Sequence, residues 1–182
     1  MNSADELRND IDYLAKEIVR ASHRFDRGKP RTSRLFTFAE SCTGGLVASS
    51  VTGVSGVSEF FPGSAVTYSN RSKIEFLSVT PETIDRHGAV SGECAAEMAW
   101  GALRLFDARL AVSVTGVAGP GGGTAEKPVG TVWFALARED GRMSLRRGIY
   151  SGRGRCGVQQ RAVKTALKLL LAGLVGLAKI SL

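Results

Sequence analysis

The segment Ala39-Glu40-Ser41-Cys42-Thr43-Gly44-Gly45 holds the first side chain of this 182-residue chain with the setting of a nucleophile. An apolar run gives way there to small residues and then to a helical pattern, so Ser41 falls where a strand turns into a helix. A helix N-terminus offers unpaired N–H groups and positive dipole, and glycines let a ligand or an oxyanion come close to that backbone. Thr43, Gly44 and Gly45 are therefore candidate substrate-binding positions. Ser41 and Thr43 are equally ordinary N-cap residues, and a strand-turn-helix taken alone favours that reading. Cys42 is a rival nucleophile, but the chain's two histidines, His23 and His87, lie far from it in sequence.

With histidine so scarce, a Ser–His–Asp triad is poorly supplied, and an activated serine would more naturally borrow a lysine. The segment Thr67-Tyr68-Ser69-Asn70-Arg71-Ser72-Lys73 offers a phenol at a strand end and an ammonium group in the first turn of a helix. A lysine starts near pKa 10.4, so a base working near neutrality needs a depression of roughly three units, or about 4 kcal/mol. Tyr68 either bridges Ser41 and Lys73 or is a plain strand tyrosine, and most lysines in such a helix face solvent. Tyr68 and Lys73 are five positions apart, where short-chain dehydrogenases use four, which weakens a reductase reading.

The glycine-rich run Ser113–Gly123 is a third candidate, with Thr115, Gly116, Gly119 and Gly121 as its ligand-facing positions. It resembles a phosphate cradle in composition only, having neither the Gly-Lys-Ser/Thr ending of a P-loop nor a following helix. A ligand loop and a structural turn are equally consistent with it. The chain contains no His-Glu-x-x-His, and Cys42, Cys94 and Cys156 form no Cys-x-x-Cys pair, so the expected chemistry uses no metal and no cofactor.

The elements that must position these groups follow from periodicity. Leu7, Ile11, Leu14 and Ile18 mark an amphipathic helix over 4–21, and the basic stretch 23–34 reads as a surface loop. Strands are expected at 35–39, 64–68, 110–114, 131–137 and 143–150, the last two joined by a hairpin at Asp140-Gly141. Helices are expected from Leu46 to Val51, around Lys73–Leu77, from Pro81 to Gly88, from Ser91 to Phe106 and from Val158 to Ile180. Strands alternating with helices, plus a hairpin, imply an α/β domain with a mixed sheet covered on both faces. Residues 1–34 are read as part of the same domain as 35–182.

Charge is lopsided: ten Lys or Arg against two acids from Arg138 onward, and fourteen against fifteen before it. That bias fits a phosphate-bearing small molecule, a nucleic acid or a solvated basic face. Aromatics are not interleaved with the basic residues, which disfavours nucleic acid. The acidic, amphipathic N-terminus does not read as a signal peptide, and the apolar run Leu169–Ala178 is about half a bilayer crossing, so a cytoplasmic protein without a membrane anchor is expected.

Four ordered blocks, AESCTGG at 39–45, EFFPGSAVTYSNRSKIEFL at 59–77, HGAVSGECAAEMAWGA at 87–102 and SVTGVAGPGGGTAEKPVGTVWFALA at 113–137, resemble the CinA C-terminal domain family. The resemblance implies a three-layer αβα fold, homo-oligomers, and hydrolysis of nicotinamide mononucleotide to nicotinic acid mononucleotide and ammonia. It implies Ser41 as nucleophile with Tyr68 and Lys73 as partners, and a stand-alone form without the upstream molybdopterin-binding-like domain of longer members. At 153–159 the chain departs from the family: Arg155 keeps a first arginine, Gly154 stands for an acid, and Gln159 for a second arginine. If that block binds the substrate phosphate, affinity or substrate choice changes, with Arg153 or Arg161 as substitutes. A module that binds nucleotides without turnover is the alternative.

Overall fold

A computed structural model describes residues 3–25 and 34–180. The loop expected over 23–34 thus falls mainly outside the described residues. The strands are β1 (Phe36–Glu40), β2 (Ser64–Val66), β3 (Leu110–Gly116), β4 (Thr131–Arg138) and β5 (Met143–Ile149). The helices are α1 (Ser3–Phe25), α2 (Leu46–Thr52), α3 (Asn70–Leu77), α4 (Pro81–His87), α5 (Gly92–Leu105) and α6 (Gly154–Ile180). The sheet runs β2-β1-β3-β4-β5, with β1 parallel to β2 and β3, and β4 antiparallel to both neighbours. This is the mixed α/β sheet expected from the sequence.

Side chains alternate across a strand, so each strand feeds two cores. One face carries Phe36, Phe38, Leu110, Val112, Val114, Phe134 and Leu136, which pack with α1, α2 and α6. The other carries Ala39, Ala111, Ala135 and Ala137 against Cys94, Ala95, Met98, Ala99 and Ala102 of α5 and Leu77 of α3. Large residues on one side and alanines on the other let α5 lie close to the sheet, where Ser113 Oγ donates to the Ala95 carbonyl at 2.5 Å. No helix among the described residues is long and apolar enough to cross a membrane.

Boundaries differ from the sequence reading at several elements. The first helix runs past its expected end at 21 to Phe25, into the stretch 23–34 read as a loop. The second strand stops at Val66, because Ser69 caps α3: its hydroxyl accepts from Ser72 N while Ser72 Oγ accepts from Ser69 N. Thr67 and Tyr68 are thereby released from the strand, although Thr67 N still donates to the Glu40 carbonyl at 2.8 Å. The last helix begins four residues before Val158, at Gly154, so Arg155 lies in its first turn.

Connections place the site. The chain leaves β1 through α2 to reach β2 on one side, then returns through α3, α4 and α5 to β3 on the other side of β1. Such a switch in strand order opens a crevice at the strands' C-terminal ends, the usual ligand position in open α/β sheets. Ser41 follows the last residue of β1.

Two helices, α3 and α5, come close at Gly101, where an added Cβ would sit 2.0 Å from the Leu77 carbonyl oxygen. Backbone cannot yield as a side-chain tip does, so Gly101→Ala is expected to cost about 3 kcal/mol or more. Urea unfolding measures this, and a change below about 0.5 kcal/mol, the usual range for surface changes, would contradict the α3–α5 contact.

Candidate active site

Ser41 is buried at the end of β1, its N–H donating to the Val114 carbonyl of β3 at 2.9 Å. Lys73, in the first turn of α3, reaches it across the crevice. Its side chain is 1% exposed, and its Nζ donates to Ser41 Oγ at 2.9 Å and to the Thr67 carbonyl at 2.7 Å. The two residues lie 32 positions apart, and the Ser69 cap that ends β2 aims α3 so that they meet. Lys73 has no carboxylate at ion-pair distance among the described residues. Burial disfavours its charged form and holds the amine below the usual lysine range.

The same burial acts on Cys42 in the opposite sense, pushing its thiol up to about 12. A thiol that stays protonated at neutral pH is a poor nucleophile. Neither histidine reaches the crevice: His23 packs edge-on against Phe60, and His87 Nδ1 lies 3.7 Å from Glu93. No group of His, Cys, Asp or Glu among the described residues could hold a metal ion.

A cavity of about 210 Å³ opens over this pair, lined by Ser41, Tyr68, Lys73, Thr115, Gly116 and Arg155 among others. Tyr68 is exposed, and its hydroxyl accepts from Arg155 Nη2 at 2.8 Å rather than bridging Ser41 and Lys73. Arg155 Nη1 donates to the Gly119 carbonyl at 2.9 Å, so one guanidinium ties α6 to the glycine loop and to the β2–α3 turn. Thr115 Oγ1 donates to the Ala89 carbonyl at 2.7 Å. Gly121 is exposed and does not line the cavity.

The glycine turn behind the serine is engaged differently from the sequence reading. Gly44 N donates to the Ser41 carbonyl at 3.1 Å, and Gly45 N to Glu40 Oε2 at 3.0 Å, so neither amide points at a ligand. The amides of Cys42 and Thr43 make no backbone hydrogen bond to another residue among the described residues, and the Cys42 amide faces its own thiol. Thr43 is not an N-cap; that place is taken by Gly45, at φ 98, where a side chain is disfavoured. Gln159 Nε2 donates to the Cys42 carbonyl at 2.9 Å, holding α6 against the nucleophile turn instead of facing a phosphate.

The family model of the CinA C-terminal domain matches residues 22–174. The chain belongs to the CinA C-terminal domain family. It is similar to the nicotinamide-nucleotide amidohydrolase PncC of Escherichia coli K12, 44% identical over 154 residues, covering 85% of this chain and 93% of that one. A CinA-like protein of Fervidobacterium nodosum is 46% identical over 140 residues, 76% of this chain; the chain spans about a third of that relative's length, 34%. Among solved structures, a competence/damage inducible protein CihA from Agrobacterium tumefaciens superposes with a TM-score of 0.82 at 41% identity, covering 90% of this chain and 94% of that one.

Sequence reasoning singled out Ser41, Tyr68, Lys73, Thr115, Gly116 and Arg155 on this cavity wall, but missed Asn70, Ala89, Val90 and Ala118 there. These are neutral side chains with no motif of their own, and only the fold brings them to the wall.

Cysteine reactivity tests the burial argument. Cys42 and Cys94 are buried, Cys94 held up at about 11, and Cys156 is exposed. Iodoacetamide at pH 8 is expected to modify Cys156 in the native protein and spare the other two until unfolding, as read by peptide mass mapping. Prompt labelling of Cys42 would refute the enclosed turn.

Proposed function

We propose that this chain hydrolyses the carboxamide of nicotinamide mononucleotide, giving nicotinic acid mononucleotide and ammonia, with Ser41 as nucleophile and Lys73 as its base. The observation that carries this reading is the buried Nζ–Oγ contact of 2.9 Å between Lys73 and Ser41. Membership in a family with relatives named nicotinamide-nucleotide amidohydrolase supplies the substrate.

In the proposed sequence the neutral amine of Lys73 takes the Ser41 proton as Oγ attacks the carboxamide carbon. The Cys42 and Thr43 amides receive the developing oxyanion. Lys73 passes the proton to the amide nitrogen and ammonia departs, leaving a nicotinoyl ester on Ser41. Water then adds to the ester as Lys73 accepts its proton, and the proton returns to Oγ as the acid is released. The cavity is smaller than the usual 300–1,000 Å³ of ligand sites. The pyridine carboxamide therefore enters it, and the ribose phosphate lies at the mouth beside the Arg155 guanidinium. Tyr68 serves by holding Arg155.

Assembly into a homo-oligomer belongs to the same proposal, supported by β5, an open sheet edge with Leu145 and Ile149 more than half exposed. Light scattering of purified protein above the monomer mass supports it; a strict monomer at assay concentration would not.

Ser41→Ala and Lys73→Ala are each expected to lower ammonia release by about 10⁴-fold with the fold intact by circular dichroism. Substantial turnover in either removes the assignment, and binding without release in the wild type leaves a nucleotide-binding module. Because Lys73 must be neutral, kcat/KM should rise with pH to a plateau below the normal lysine pKa.

The stability sign follows from the same shift. A lysine whose folded pKa lies below its unfolded value binds fewer protons when folded, so its contribution improves as pH rises from the folded pKa toward about 10.4. Wild type should accordingly gain stability relative to Lys73→Met across that window, and a pH-independent difference in urea midpoints would refute it.

Arg155→Ala should raise KM for the mononucleotide by about 10-fold or more, the worth of a charged hydrogen bond, and leave the riboside nearly unaffected. Equal effects on both substrates would place the phosphate elsewhere.

A further inference from the structure

Glu40 is fully buried at the end of β1, next to the nucleophile, yet it has no cation at ion-pair distance among the described residues. A buried carboxylate is costly unless hydrogen bonds satisfy it. Here they come from the first turn of α2: Oε2 accepts from Gly45 N at 3.0 Å and Val47 N at 3.1 Å, and Oε1 from Ala48 N at 2.8 Å. The sheet pleat puts Glu40 on the face of Phe36 and Phe38, where α2 packs, while Ser41 meets Lys73 of α3 from the other layer.

The arrangement is not how a helix is usually capped. The N-cap of α2, Gly45, supplies no side chain, and the cap comes from a residue five positions upstream, inside the sheet. Three donors that could have received an anion are filled by the protein's own carboxylate. They also draw the Glu40 charge toward α2, so that no carboxylate lies against the Lys73 amine to hold it protonated.

We infer that Glu40 is a positioning residue for the nucleophile: its carboxylate clamps the first turn of α2 to the end of β1, which fixes the Ser41 turn and with it the placement of the Cys42 and Thr43 amides. The inference rests on Ser41 being the nucleophile. It also explains the direction of the substrate, since a carboxylate in the helix turn repels a phosphate there and leaves Arg155 as its anchor.

The experiment is steady-state kinetics of Glu40→Gln with ammonia detection, beside Ser41→Ala and with the folded fraction set by circular dichroism. Glutamine keeps the size but turns an NH₂ group toward one of the three amide donors. The expected result is a kcat lower by about 100-fold, the scale of an ångström-sized misplacement, with KM within about threefold and the acid limb of the pH profile unmoved. A carboxylate acting only in folding would lower the unfolding midpoint and leave kcat per folded molecule unchanged, and that outcome overturns the inference. So does a loss confined to KM.

Should Glu40→Gln not fold, Ala48→Pro removes one donor in the first helical turn, where proline is tolerated, and keeps the carboxylate. Its kcat should fall about fivefold or more on the same reasoning, and an unchanged kcat overturns the inference. Activity in Ser41→Ala would remove the nucleophile itself, whereas a dead Ser41→Ala beside a fully active Glu40→Gln removes the positioning role alone.

Discussion

The contact between Lys73 and Ser41 demands that an amine be buried without a carboxylate to hold its proton, and much of the surrounding structure answers that demand. A lysine in water is an acid; the same group desolvated against a serine and a carbonyl is a base in waiting. To bury it, α3 must start close to the sheet, which requires β2 to be short and Ser69 to stop it. To keep α3 there, α5 must pack against it so closely that residue 101 has to be glycine. The alanine face of the sheet gives α5 the room to do so.

Around the end of β1 the two charged groups that burial would normally pair are kept on opposite sides. Glu40 turns toward α2 and is satisfied by three amides, while Lys73 approaches from the α3 layer and is satisfied by a hydroxyl and a carbonyl. A direct ion pair would give comparable burial but would hold the lysine protonated. The strand's two-residue alternation therefore separates the buried Glu40 side chain from the buried Lys73 amine over a single peptide.

Much of this was legible in the sequence. The apolar periodicity and the Asp140-Gly141 turn are local signals, and each corresponds to an observed element, the turn to the hairpin that pairs Ala137 with Met143. Ser41 and Lys73 could be named as candidates from residue type and the scarcity of histidine, and the family resemblance favoured them over a helix cap and a solvent-facing lysine. The direction of side chains could not. Tyr68 was expected either beside the serine and lysine or in a strand; its hydroxyl meets Arg155, 87 positions away, because α6 begins at Gly154. Gly44 and Gly45 looked like an oxyanion cradle because composition does not reveal that the amides were already filled. Glu40 drew no notice, since nothing in a strand pattern distinguishes a buried glutamate from an edge one.

Burial also bears on Cys42, which sits beside Ser41. One low-polarity environment lowers a cation's pKa and raises an anion's, so the burial that holds the Lys73 amine down pushes the Cys42 thiol up, to about 12. A thiolate nucleophile needs a site that stabilises negative charge before the reaction begins. A serine needs the charge stabilised only as it forms, and a neutral amine to take the proton. The first turn of α2, the available source of positive dipole, is already filled by Glu40, which removes the stabilisation a resting thiolate would require. In the proposed mechanism the choice of oxygen over sulfur at adjacent positions follows from where Glu40 points.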